Sequence, residues 1–373
     1  MKKDYEARIK AMKARRQNDG KNVSLEKMLK ESSADYINQQ VLRSYATEDY
    51  ERRGKTSALK YALGAMQEVD PQYTNVSLGE AGRVSRQVEE GLDRTYGKTV
   101  ETKLQGSLPI NVHLRRSSDV DILVFPSNFL VYSPAGILAS TYSPSNLNKV
   151  NVTIELRRQC AQHLTNAYPS ATVDDSGSKC ITITGGSLRR DVDVVPALWY
   201  DTAAYQSSKN IKDRAVEVLD KKKCEFNDNM PFLVQYNINN KDELTFGGCK
   251  KAIRLLKTLR ADADDEIDFS SFNIMSIIYN MDNGELRHQR LYEGALIVSI
   301  NNWLNYLGAN LQVLRSLDAV DGSRKVIQSS KDEAEFQLLR SELNDLVEQI
   351  SVEIAPEVGQ LLREPVLRNY AFY

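Results

Sequence analysis

The sequence predicts an α+β protein in two lobes, a mixed sheet with helices packed on it followed by an all-helical lobe. Three observations carry this. Between residues 100 and 200 the apolar residues recur with period two, as in a strand. Beyond about residue 205 they recur at i, i+3 and i+4, as on one face of a helix. Two runs in the first region carry aspartates among β-branched and aliphatic residues, Ser118-Asp119-Val120-Asp121-Ile122-Leu123-Val124-Phe125 and Arg190-Asp191-Val192-Asp193-Val194-Val195-Pro196.

In chain order, residues 1–50 read as polar helix with breaks, the clearest at Asp19-Gly20-Lys21-Asn22. Ser24 shortly before Glu26 has the form of a helix start. Residues 56–67 show a mixed helical pattern, closed by a turn at Asp70-Pro71. Over 79–96, Ala81, Val84, Val88 and Leu92 form one helical stripe. Residues 100–104 and 120–125 read as strands, and 145–168 as a helix in which Val152, Ile154, Leu156, Cys160, Ala161 and Leu164 alternate with polar residues. A meander follows over 171–173, 180–184 and 188–196, with turns at Asp174-Asp175-Ser176-Gly177 and Gly185-Gly186-Ser187. Helical spacing then covers 248–261, 269–281, 284–311 and 331–354. The expected units are a basic helical region over 1–60, a catalytic lobe over 61–205 and a helical lobe over 206–373.

The bulk numbers exclude several classes. A chain of 373 residues, 41% hydrophobic and 27% charged, has the composition of a globular protein with room for two lobes. No apolar run approaches the roughly 18 residues of a membrane span. Met1-Lys2-Lys3-Asp4-Tyr5-Glu6 has no apolar core, so no secretory signal is expected. The four cysteines are widely spaced and the three histidines unpaired, which argues against a disulfide framework or a zinc site and for a cytoplasmic protein. Net charge is −1, but residues 1–60 carry 15 Lys and Arg against 9 Asp and Glu. A solvated helical arm explains that excess, and an arm touching nucleic acid is the alternative.

The aspartates are the chemistry-bearing feature. A carboxylate in an apolar strand is costly without a compensating cation. On a strand, residues i and i+2 point the same way, roughly 6.5 Å apart, so Asp119 and Asp121 share one face while Val120 and Ile122 face the core. Asp193 joins them if its strand is the neighbour. Asp191 shares its face and is the alternative, but Asp193 lies deeper in the apolar run. Magnesium takes near-octahedral oxygen ligands, typically a few carboxylates plus substrate phosphates. Two such ions hold an attacking hydroxyl and a leaving pyrophosphate together. Gln105-Gly106-Ser107 precedes the first aspartate pair; Gly106 lets the backbone approach phosphate, and the amides and Ser107 hydroxyl are suited to triphosphate oxygens. No G-x-x-x-x-G-K-[ST] run occurs. Downstream, Lys250, Arg254 and Lys257 lie at i, i+4, i+7 on one helix face, opposite Ala252, Leu255, Leu256 and Leu259. Such a stripe is either a solvated face or a triphosphate contact.

The order Gly106-Ser107, Asp119-x-Asp121 and Asp193-Val194-Val195-Pro196-Ala197 resembles the polymerase-β-like nucleotidyltransferases. Ile253-Arg254-Leu255-Leu256-Lys257, followed by Ser271-Phe272-Asn273-Ile274, narrows the resemblance to the bacterial cyclic-oligonucleotide synthases, the CD-NTases. These are relatives of cyclic GMP–AMP synthase and oligoadenylate synthase that serve antiphage defence. The resemblance covers residues 78–280. It implies that Asp119, Asp121 and Asp193 bind two Mg2+ ions, with Mn2+ as a substitute. It also implies that Gly106, Ser107, Lys257 and Ser271 hold the donor nucleotide, with Gln105 beside them. One departure is the stretch Leu108-Pro109-Ile110-Asn111-Val112-His113, where many members have a threonine.

The expected function is therefore Mg-dependent synthesis of a cyclic di- or trinucleotide second messenger from NTPs. The expected enzyme is a monomer without membrane contact, its product read by a separate effector. Two alternatives stand beside it: template-independent extension of RNA ends or of linear oligonucleotides, and a non-catalytic nucleotide-binding regulator.

Overall fold

The computed structural model describes residues 3–17, 48–114 and 120–373. The expected break at 19–22, the helix start at Ser24 and Asp119 lie outside the described residues. The N-terminal helices are α1 (Tyr5–Gln17), α2 (Asp49–Arg53) and α3 (Ser57–Met66). The sheet lobe follows with α4 (Pro71–Tyr96), β1 (Val100–Gln105), β2 (Val120–Pro126), β3 (Val131–Tyr132), α5 (Lys149–Ala167), β4 (Ala171–Asp174), β5 (Ile181–Gly185), β6 (Val192–Asp201), α6 (Ala203–Ser208), β7 (Ala215–Asp220) and β8 (Glu225–Asn229). The remaining helices are α7 (Pro231–Leu244), α8 (Gly248–Ala261), α9 (Ser271–Tyr279), α10 (Asn283–Leu286), α11 (Glu293–Ala309), α12 (Leu311–Ser316), α13 (Ser330–Ile354) and α14 (Gln360–Asn369).

The strands run in the order β1-β2-β6-β5-β4. Every pair in that row is antiparallel except β2 and β6, which are parallel. The meander therefore joins the β1–β2 pair through a crossover that contains α5. Farther along, β6 pairs with β7, and β7 with β8. One face of the sheet carries Val120, Ile122, Val124, Val192, Val194, Ile181 and Ile183, buried against Ala81, Val84, Val88 and Leu92 of α4 and Leu156, Cys160 and Leu164 of α5. Residues of the other parity, including Asp121 and Asp193, lie on the opposite face.

Several elements differ from expectation. Pro71 opens α4 rather than forming a separate turn, since proline at the first helical position removes an N–H that has no partner there. The sheet extends to Asn229, beyond the expected lobe boundary at 205. The expected single helix over 284–311 is broken between Leu286 and Glu293, where Leu291 takes φ +75°.

The division of the N-terminal region also changes. Tyr5, Met12, Tyr50 and the apolar residues of α3 share one buried core with α8, α9, α11 and α13. Arg8, buried on α1, bonds Glu342 of α13 at 2.8 Å. The described N-terminal helices thus belong to the helical lobe. Positions 5 and 12, seven apart, put two apolar side chains on one face of α1, which binds that helix to its neighbours.

Candidate active site

The site is built from strand register. Cα partners across four strands are Gln105 and Asp121, Asp121 and Asp193, and Asp193 and Thr182. Cross-strand partners project from the same face, so this row sets Gln105, Asp121, Asp193 and Thr182 side by side. Each aspartate is half-buried and is flanked along its strand by buried aliphatic residues that hold the register. Asp191 precedes β6 and is exposed; its carbonyl accepts from the Val120 amide at 3.4 Å. Thr182 was not anticipated from sequence. Its hydroxyl donates to Asp193 Oδ1 at 2.6 Å.

The turn after β1 closes one side. Gly106 has φ +80°, and a Cβ there would lie 2.5 Å from Asp121 Oδ2. Both facts require glycine, which allows the backbone against the carboxylate. Ser107, half-buried, accepts the Val112 amide at 3.1 Å through its carbonyl. The departing stretch 108–113 has a definite role in the packing. Leu108 joins the sheet-lobe core, whereas Ile110 and Val112 are buried in the helical-lobe core.

The basic stripe supports this loop from behind. Arg254 Nη1 donates to the Asn111 carbonyl at 2.8 Å, and its Nε to the Met66 carbonyl at 2.8 Å. Lys257 Nζ donates to the Val112 carbonyl at 2.7 Å. Both side chains are only 3% exposed, so neither forms a solvated face. Lys250 instead pairs with Asp242. Burial, helped by the charge of Arg260, pulls the Lys257 ammonium down to about 7. His113 is equally buried; desolvation first, then the charges of Lys257 and Arg254, lower it to about 4. Its Nε2 faces Thr74 Oγ1 at 3.1 Å, while Nδ1 has no hydrogen-bond partner among the described residues. Ser271 opens α9 just after the N-cap Ser270, whose side chain accepts from the Asn273 amide, and α9 packs on α8.

Two adjacent carboxylates beside a turn with no room for a Cβ are a hard-oxygen donor set, and they fit magnesium. Among the described residues no group of three His, Cys, Asp or Glu gathers at ligand distance; Asp119, the expected third carboxylate, lies outside them. No described helix is long and apolar enough to cross a membrane.

Residues 236–350 match the model of the cGAS/DncV-like nucleotidyltransferase C-terminal helical domain. The chain is 38% identical over 362 residues to the cyclic dinucleotide synthase CdnE of Yersinia aleksiciae, covering 95% of this chain and 93% of that relative. It is 32% identical over 287 residues to a c-di-GMP synthase of Capnocytophaga granulosa, covering 71% and 79% respectively. The solved structure of the STING-associated CdnE c-di-GMP synthase from Capnocytophaga granulosa superposes with a TM-score of 0.70 at 27% identity, over 94% of this chain and all of that one. A sheet lobe with paired strand aspartates, a matching helical domain and full-length similarity to a dinucleotide synthase agree, and the chain belongs to the bacterial CD-NTases, nucleotidyltransferases that synthesise cyclic oligonucleotides.

Proposed function

We propose that this enzyme joins two or three ribonucleotides into a cyclic second messenger, with Asp121 and Asp193, together with Asp119, as its metal-holding carboxylates. The observation that carries the reading is the register pairing of Asp121 with Asp193 beneath the Gly106 turn. Magnesium bound to these oxygens would supply the positive charge that steadies an attacking hydroxyl and a leaving pyrophosphate. Asp193 would help activate the attacking hydroxyl. The amides of the 106–107 turn, the Ser107 hydroxyl and Gln105 would hold the outgoing triphosphate. Lys257 and Ser271 would complete that wall from the helical lobe, Lys257 exchanging the Val112 carbonyl for a phosphate oxygen.

The relatives' names, CdnE and c-di-GMP synthase, support a dinucleotide product and guanine as one base to test first. A role in antiphage defence, with a separate effector reading the product, follows the same family reading. The deciding experiment incubates the full chain with all four NTPs and Mg2+ or Mn2+ and analyses the products by mass. A phosphatase-resistant cyclic species is expected, and Asp121→Ala should abolish it while leaving the fold intact. A linear, phosphatase-sensitive product would move the enzyme to linear oligonucleotide synthesis. Undiminished turnover in Asp121→Ala would remove that residue from the site.

A further inference from the structure

We infer that Thr182 is the positioning residue that orients the Asp193 carboxylate for its metal, an assignment that rests on the reading of Asp193 given above. Thr182 is the fourth member of the strand row, the Cα partner of Asp193 across β5 and β6. Its hydroxyl has one proton, and the 2.6 Å hydrogen bond directs that proton toward Asp193 Oδ1. One carboxylate oxygen is thereby held by the protein, which restricts how the group can turn. A bond from a neutral donor to an ionised carboxylate is stronger than one between neutral partners. Losing a group that orients a metal ligand in this way typically costs about 10–100-fold in metal affinity.

Thr182 is itself held in place. It is β-branched, so its χ1 is stiff. Its strand neighbours Ile181 and Ile183 are fully buried on the other face, which prevents a slip in register. Just upstream, Arg157 of α5, itself buried, donates from Nη2 to the Cys180 carbonyl at 2.6 Å and to the Gly177 carbonyl at 2.9 Å, and its Nε bonds Asp175. On the same side, Cys180 Sγ lies 3.7 Å from Thr182 Oγ1 and also meets the Asp193 carboxylate. β5 is therefore pinned at the point from which the hydroxyl reaches across to β6.

The test compares Thr182→Val, which keeps the shape and deletes the hydroxyl, with Thr182→Ser, which keeps the hydroxyl. Mn2+ binding is titrated by electron paramagnetic resonance in the presence of a non-hydrolysable NTP analogue, and initial rates are measured against Mg2+ concentration. Thr182→Val should weaken Mn2+ binding and raise the half-saturating Mg2+ by about tenfold. KM for NTP at saturating metal should change little, and Thr182→Ser should restore most of the metal affinity. A well-folded Thr182→Val with unchanged metal titrations would overturn the assignment, as would equal losses in the valine and serine variants. If valine does not fold, Thr182→Ala provides the same contrast with serine. Asp193→Asn is measured in parallel. If it keeps metal-dependent turnover, the assignment of Asp193 itself fails, independently of what Thr182 does.

Discussion

At position 106 one methyl group is enough to disturb the site. The left-handed φ of +80° and the 2.5 Å that would separate a Cβ from Asp121 Oδ2 act in the same direction. Gly106→Ala should cost about 1–3 kcal/mol in backbone strain. It should also lower turnover by about a hundredfold, because small displacements at a reacting centre are that costly. A variant with native circular dichroism and near-normal rate would refute this. The adjacency of Asp121 and Asp193 was legible, since a carboxylate within an aliphatic strand is unusual on physical grounds alone. Thr182 was not, because in Ile181-Thr182-Ile183-Thr184 a threonine reads only as the outward half of an alternation. Its meaning comes from the strand across from it, and pairing between strands is not written in either strand alone.

At the scale of elements, the 106–114 loop changes most between sequence and structure. Its apolar residues appeared as an irregularity beside the Gly-Ser turn, because they have neither period two nor helical period. They divide between two cores instead. The Arg254 and Lys257 stripe was visible as a helix face, but its partners include backbone carbonyls of that loop, which no side-chain pattern reveals. The same loop carries a pH signature. His113 falls from 6.5 to about 4 in the folded chain, so the unfolded chain binds the extra proton first. The stability it contributes is fully present above about pH 6.5 and is lost as pH falls toward 4. Melting temperature should drop across that window, and His113→Gln should make the drop smaller. Parallel melting curves for both proteins from pH 7 to 4 would refute the assignment.

For the whole molecule, the two-lobed α+β plan was readable from period and composition, whereas its boundaries were not. β7 and β8 escaped notice because Ala-Val-Glu-Val-Leu-Asp is short and its Glu217 and Asp220 are buried charged residues, which disguise a strand. The N-terminal helices looked like a solvated arm because their polar residues outnumber the few, widely spaced ones that pack. The 106–114 loop joins the two cores. Ile110, 1% exposed, sits in the helical core although its chain neighbours leave from the sheet. Ile110→Ala should destabilise the protein by about 2–5 kcal/mol, read by chemical denaturation. A loss below 1 kcal/mol would show that this anchor is not tightly packed.

The double anchorage of that loop has a mechanical consequence. Carboxylates on β2 and β6 move with the sheet, while the chain just beyond the glycine turn is gripped by α8. To draw the lobes apart here, Ile110 and Val112 must leave apolar surroundings at about 1.5–3 kcal/mol each, and the buried Arg254 and Lys257 must surrender their carbonyls. The spacing between those carboxylates and the chain after the glycine turn is thus held by Ile110, Val112 and Arg254, which keep it without having to touch a nucleotide.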